Sequence, residues 1–172
     1  MLISEEYRKE QQGLHKNPNY GMASVSYAPL VSNIINQAGV SEILDYGAGK
    51  GRLAESIKPN HKVLVCQYDP GVEDISEPPE PCSGLTVCID VLEHIEPELL
   101  DNVLDDLQRV TLNLGFFTIH TGPAVKVLSD GRNAHLIQEP YMWWLPKLWK
   151  RFDIMSYTQT DHGFHVLVRK WH

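Results

Sequence analysis

Between positions 43 and 53 the chain reads Ile43-Leu44-Asp45-Tyr46-Gly47-Ala48-Gly49-Lys50-Gly51-Arg52-Leu53: an apolar strand-forming run, an acid near its end, three alternating glycines, then the start of a helix. Glycines so spaced let the chain reverse tightly and let its backbone approach a ligand where a Cβ would collide. A dinucleotide turn places its third glycine at position 52, where a helix N-terminus meets the pyrophosphate. Arg52 stands there instead, and Asp45 would repel a pyrophosphate, so the turn suits a ligand without phosphates. Asp69, closing the next apolar run Val65-Cys66-Gln67-Tyr68-Asp69-Pro70, can accept hydrogen bonds from both hydroxyls of a ribose. Turn and acid together point to a nucleoside ligand.

A third apolar run ends in Asp90, followed by Val91, Glu93 and His94 where the chain leaves the sheet. Asp90 reads as a wall of the site or as a helix-capping acid, and His94 as a packing residue or an acceptor contact. Phe116-Phe117-Thr118-Ile119-His120-Thr121-Gly122-Pro123 places His120 at the carboxyl edge of a buried strand, where open α/β sheets build their sites. The loop 121–139 is long for a compact domain, which favours acceptor binding through Arg132, Asn133 and His135 over a plain connector. Trp143, Trp144 and Trp149 lie at helical spacing and read as packing first, with Trp143 as an acceptor contact. Asp161, His162 and His165 form no convincing tetrahedral set, so no metal is expected.

The elements that must position these residues follow from periodicity. A polar helix is expected to about Gln12, then an irregular loop; a second helix is expected to begin at a Ser26 cap with Pro29 in its first turn, ending at Gly39. The runs 42–46, 63–68 and 85–89 read as fully buried parallel strands. A helix over 50–57 joins the first two, and an amphipathic helix over 97–110 follows the third. Residues 114–120 supply a further strand, 140–151 a Trp-rich helix, and 152–157 with 164–169 a closing pair of strands. The fold class is α/β: a Rossmann-like, mostly parallel sheet with helices on both faces and a closing antiparallel strand. One domain over 1–172 is expected, with 1–40 as an N-terminal helical cap and 121–139 as the acceptor loop.

Asp45 through Gly51, Asp69, and Cys88-Ile89-Asp90-Val91-Leu92-Glu93-His94-Ile95 resemble the class I S-adenosylmethionine-dependent methyltransferases, especially those with small-molecule acceptors. The resemblance implies that Gly47, Ala48, Gly49 and Gly51 line the methionine part of the cofactor, Asp69 its ribose, and Asp90 with Val91 the wall beside the sulfonium. Asp45, Tyr46, Tyr68 and Pro70 complete that lining, and Tyr20 with Gly21 would close over it. Asp130 through Ile137, ahead of a Trp-Trp pair, is also similar to a compact methyltransferase group of phages and bacteria. The family places helix, strand and helix after the ribose acid, yet here only Gly71 to Gly84 intervenes, broken by Pro78, Pro79 and Pro81. One edge strand is therefore expected to be missing, with Glu73 or Asp74 standing in for an adenine-facing acid.

The resemblance implies methyl transfer from S-adenosyl-L-methionine, leaving S-adenosyl-L-homocysteine; oxygen or nitrogen of an acceptor is the expected target, and the placement of His120 and His135 makes one of them the expected base. Two alternatives are a silent binding module for either compound and an enzyme that degrades the cofactor. A net charge of -7 favours a small molecule, sugar or nucleotide over polymeric nucleic acid. A nucleic-acid methyltransferase stays open, although Asp90 lacks the Pro-Pro-aromatic run of DNA amino-methyltransferases and Pro81-Cys82 precedes its strand rather than ending it. Lys147 to Arg151 is the densest basic stretch. Cys66, Cys82 and Cys88 make no CxxC pair and read as reduced, with Cys66 and Cys88 buried. No membrane-spanning run or leader is evident, which gives a cytoplasmic expectation.

Overall fold

The computed structural model describes residues 1–15 and 21–171. Its sheet has six strands in the order β2-β1-β3-β4-β6-β5: β1 Glu42–Tyr46, β2 Leu64–Tyr68, β3 Leu85–Ile89, β4 Leu114–His120, β5 Phe152–Gln159 and β6 Gly163–Lys170. The first four are parallel, while β6 pairs antiparallel with β4 and with β5. Side chains alternate across the central strands. Ile43, Val87 and Phe116 join one apolar cluster beneath α2 (Ala23–Ala38) and α3 (Arg52–Ser56). Leu44, Cys88 and Phe117 join the other beneath α4 (Leu100–Val110) and α5 (Tyr141–Trp149). Helices thus cover both faces, and the fully apolar character of β3 follows from burial on each side.

Helix α4 shows the logic most clearly. Leu100, Val103, Leu104, Leu107 and Val110 fall on one face and are all buried. Each contributes roughly 1.5–3 kcal/mol relative to exposure. Along its first half Arg151, 4% exposed, donates to Asp101 and Asp105 of α4 and to the carbonyl of Lys147, tying α4 to α5. Two of the three cations in the basic stretch are therefore spent internally: Arg151 is paired, and Lys147 sits over the Trp143 ring, while Lys150 is exposed.

Three expectations are corrected. Helix α2 begins at Ala23, so Ser26 lies inside it and caps nothing; Pro29 also lies inside, and the buried face is Ala28, Val31, Ser32 and Ile35. Strand β2 is an edge strand rather than a buried one, with Leu64 60% exposed and Cys66 exposed, because no strand lies beyond it among the described residues. The helix after the glycine turn is only Arg52–Ser56, since Gly51 takes a left-handed conformation at its start. The missing edge strand has its cause in residues 71–84, where one turn of 3-10 helix, Glu73–Ile75, is the only regular helix between β2 and β3. No described helix is long and apolar enough to cross a membrane.

Candidate active site

From β1 the chain crosses one way to β2, and from β3 the other way to β4, so the sheet order reverses between β1 and β3. Open α/β sheets bind ligands in the crevice at such a switch point, outside the carboxyl ends of the strands. A cavity of about 380 Å³ lies there, lined by residues 45–50 from the end of β1 onward, Asp69 and Pro70 after β2, and 89–91 from the end of β3 onward.

The glycine turn is held by its neighbours. Gly47 N–H and Ala48 N–H both donate to the carbonyl of Tyr68, at 2.7 and 3.0 Å. Gly49 N–H donates to Asp69 Oδ2 at 2.9 Å, and Gly71 N–H to Oδ1 at 2.8 Å. Each Asp69 oxygen keeps a second lone pair for a ligand. Gly47 has φ +81°, and a Cβ there would meet Val91 Cγ2 at 2.4 Å. Gly47→Ala is therefore expected to cost roughly 2–3 kcal/mol of stability, from left-handed strain plus displacement of Val91. Chemical unfolding of wild type and variant measures it.

Asp45 is 4% exposed, and its Oδ2 has no hydrogen-bond partner among the described residues. Burial, and secondarily the nearby Asp69, push its carboxyl up to about 7. A buried carboxylate facing a cavity is suited to a cationic ligand group. Asp90 has φ +51° and accepts from the Thr118 hydroxyl at 2.6 Å. It does not cap the short helix that follows, whose flanking residue is Val91, so the capping alternative is removed.

The other half of the cavity is built by histidines. Nδ1 of His94 meets the Ala134 carbonyl at 2.8 Å, and Nδ1 of His135 meets the Gly122 carbonyl at 2.7 Å. A carbonyl only accepts, so both rings carry their proton on Nδ1. His120 is reversed: its Nδ1 accepts from Gly122 N–H at 3.1 Å, which leaves its own proton on Nε2 when the ring is neutral. The His135 ring lies 4.7 Å from those of His94 and His120, centre to centre. Burial holds the His135 ring below the ordinary imidazole range, which favours its neutral form. Beneath them Glu93 is fully buried; its Oε1 accepts from His120 N–H at 2.9 Å, and burial, then Asp90, raises its carboxyl well above the usual range.

Of the residues singled out from sequence, Gly21, Asp45, Tyr46, Gly47, Ala48, Gly49, Asp69, Pro70, Asp90, Val91, His94, His120 and His135 line the cavity. Tyr20 lies outside the described residues. Gly51 and Tyr68 do not line it: Gly51 starts α3, and Tyr68 packs on Tyr46 and holds the turn through its carbonyl. The acceptor set is corrected at three positions. Arg132 turns away to pair with Asp130, Asn133 brackets Ala124 through both ends of its amide, and Trp143 packs against Trp144 and Lys147. Glu73 and Asp74 are exposed and away from the cavity. Missed entirely were Leu2, Ile3, Tyr7 and Gln11, by which the N-terminal segment and α1 (Glu5–His15) wall the cavity. An apolar face on so polar a helix leaves little signal, although Ile3, Tyr7 and Gln11 do recur at fourfold spacing.

No protein-family model and no curated protein matches the sequence. Solved structures do match. The 1,6-didemethyltoxoflavin-N1-methyltransferase of Burkholderia thailandensis, with bound S-adenosylhomocysteine, superposes with a TM-score of 0.67 at 16% identity over 100% of this chain and 92% of its own. This is the fold of the class I S-adenosylmethionine-dependent methyltransferases. The methyltransferase fold is shared with the mitomycin 7-O-methyltransferase MmcR, at TM-score 0.66 and 11% identity over 94% of this chain and 61% of MmcR. It is shared also with the [4+2]-cyclase SpnF, at TM-score 0.62 and 13% identity over 85% of this chain and 80% of SpnF.

Proposed function

We propose that the protein transfers the methyl group of S-adenosylmethionine to a small-molecule acceptor seated against His94, His120 and His135. The observation that carries this reading is the switch-point cavity, in which Asp69 closes the glycine turn and still presents lone pairs, beside an unpartnered buried Asp45. Asp69 would take the ribose hydroxyls, and Gly47 to Gly49 with Asp45 the methionine end. Asp90 and Val91 would flank the sulfonium. That sulfonium is a methyl donor already activated, so the protein has to orient a nucleophile and receive its proton.

Between the two candidate bases, geometry favours His135: its Nδ1 proton is engaged, burial favours its neutral form, and Nε2 is then its lone-pair nitrogen. His120 has its lone pair occupied by Gly122 N–H. Leu2, Ile3, Ile95 and Val103 give the chamber an apolar lining that limits water. The small-molecule methyltransferases among the structural neighbours and the net charge of -7 support a small acceptor. The same fold in a cyclase means that fold alone does not decide the reaction.

Single-turnover assays with candidate acceptors test this. His135→Ala is expected to slow transfer by about 100-fold or more, and His120→Ala by less. S-adenosylhomocysteine formed only when acceptor is present identifies transfer. Product without acceptor identifies degradation, and none at all a silent binder.

A further inference from the structure

The Glu93, His94 and His135 side chains converge from two directions, the first two from the end of β3 and the third from the loop 121–139, which folds back across it. Among the described residues their ligand-type atoms form a set lying within 4.8 Å of one another. Glu93 is fully buried, and its Oε2 has no hydrogen-bond partner among the described residues. A carboxyl in that position needs either a proton or a cation. Both histidines are oriented as metal-binding imidazoles are, with Nδ1–H donated to a backbone carbonyl, Ala134 or Gly122, so that Nε2 is the coordinating nitrogen. The Glu93 carboxyl is itself steadied by His120 N–H on Oε1.

We propose that Glu93, His94 and His135 bind a divalent first-row transition-metal ion whose remaining coordination positions face the cavity and take an oxygen of the methyl acceptor. Two imidazoles and one carboxylate suit such ions and leave positions open, whereas Mg²⁺ prefers an all-oxygen octahedral shell. Ligand atoms about 2.0–2.1 Å from one ion lie roughly 3.3 Å apart in a tetrahedral site, so the side chains draw in by on the order of an ångström. His94 and His135 line the same cavity as Asp90 and Val91, which puts the ion on the acceptor's side of the site.

The role of the ion rests on the methyl-transfer reading; its binding does not. A hydroxyl coordinated to the ion loses its proton to solvent at lower pH than a free one. Its oxygen then forms the new bond to the methyl carbon as the carbon–sulfur bond breaks and sulfur keeps that electron pair as a neutral thioether. In this state His135 is a ligand, and the ion replaces it as the means of removing the proton.

Chelator-treated protein, checked for fold by circular dichroism, is titrated with Co²⁺ and followed by visible absorption. One equivalent is expected to bind, to be displaced by Zn²⁺ and to be left in place by Mg²⁺. Glu93→Gln and His135→Ala are each expected to weaken binding more than about 100-fold, while His61→Ala, at a histidine outside the cavity, leaves it unchanged. Lack of saturable binding to the wild type overturns the site, as does binding that survives in either variant. Because His135 lies on a loop, it keeps the test decisive if the Glu93 variant misfolds. Calorimetry with S-adenosylhomocysteine on the same chelated sample reports separately on the methyltransferase reading.

Discussion

Asp69→Ala is expected to weaken S-adenosylmethionine and S-adenosylhomocysteine binding by roughly 100- to 1000-fold. The carboxylate joins two structures at once. It accepts Gly49 N–H and Gly71 N–H, which fixes the glycine turn against the end of β2, and its remaining lone pairs face the cavity. Two hydrogen bonds from ribose hydroxyls to a charged acceptor contribute about 1.5–3 kcal/mol each. Losing them at about 1.5 kcal/mol each accounts for the lower end of that range, at about 1.4 kcal/mol per decade. The freed turn accounts for more. The two orphaned N–H groups are only partly buried, so the ligand-free protein is expected to lose about 1–2 kcal/mol and remain folded. Titration calorimetry of both proteins with both ligands, alongside thermal unfolding, checks each half; full affinity in a folded Asp69→Ala variant removes the ribose assignment.

How much of this was legible in the sequence depends on how local each determinant is. The glycine turn and Asp69 could be read because their chemistry is carried by residue types next to one another or one strand apart. Strands β1, β3 and β4 match the expected boundaries because burial on both faces makes each a continuous apolar run. Strand β2 has the same kind of run but sits at the edge, and exposure of Leu64 and Cys66 depends on which strand lies beyond it, a property of topology rather than of residues 64–68. Helix α2 begins after Met22 without any side-chain cap, so Ser26 was the stronger local signal and the wrong one.

Arg132 and Asn133 misled for a related reason. Polar residues in a long loop look available to a ligand, but each found a partner within nine residues and serves the loop's own shape. His135, two residues on, is aimed inward because Asn133 Oδ1 holds its N–H and Gly122 holds its ring. The convergence of Glu93 and His94 with His135 spans some 40 residues of sequence, and nothing in the spacing announces it. The backbone bond from Ile137 N–H to the Glu93 carbonyl, at 3.0 Å, is what brings the two segments together.

Asp45→Asn is expected to make the ligand-free protein more stable and the cofactor complex weaker, with both differences set by pH. The Asp45 carboxyl, ordinarily near 3.8, is pushed up to about 7, first by burial and then by Asp69. Its proton is thus held more tightly in the folded chain than in the unfolded one. Its contribution to stability is complete below about pH 4 and is lost as the pH rises through 7. The asparagine has no proton to lose, so its advantage in unfolding free energy should grow by up to about 3 kcal/mol between pH 5 and pH 8. Binding runs the other way. A cationic ammonium at the methionine end favours the ionised carboxyl, so wild-type affinity for S-adenosylhomocysteine should climb as the pH passes 7 and binding should release a proton. In the variant the pH dependence flattens, and affinity at pH 8 falls by roughly 10- to 100-fold. Unfolding curves at pH 5 and 8, with calorimetry from pH 5.5 to 8.5, measure both arms. A variant no more stable at pH 8, or a wild-type affinity indifferent to pH, means that Asp45 is not the group that meets the ammonium. The opposition follows from the site itself: the buried, unpartnered carboxylate that destabilises the ligand-free chain is the same feature that a cationic ligand relieves.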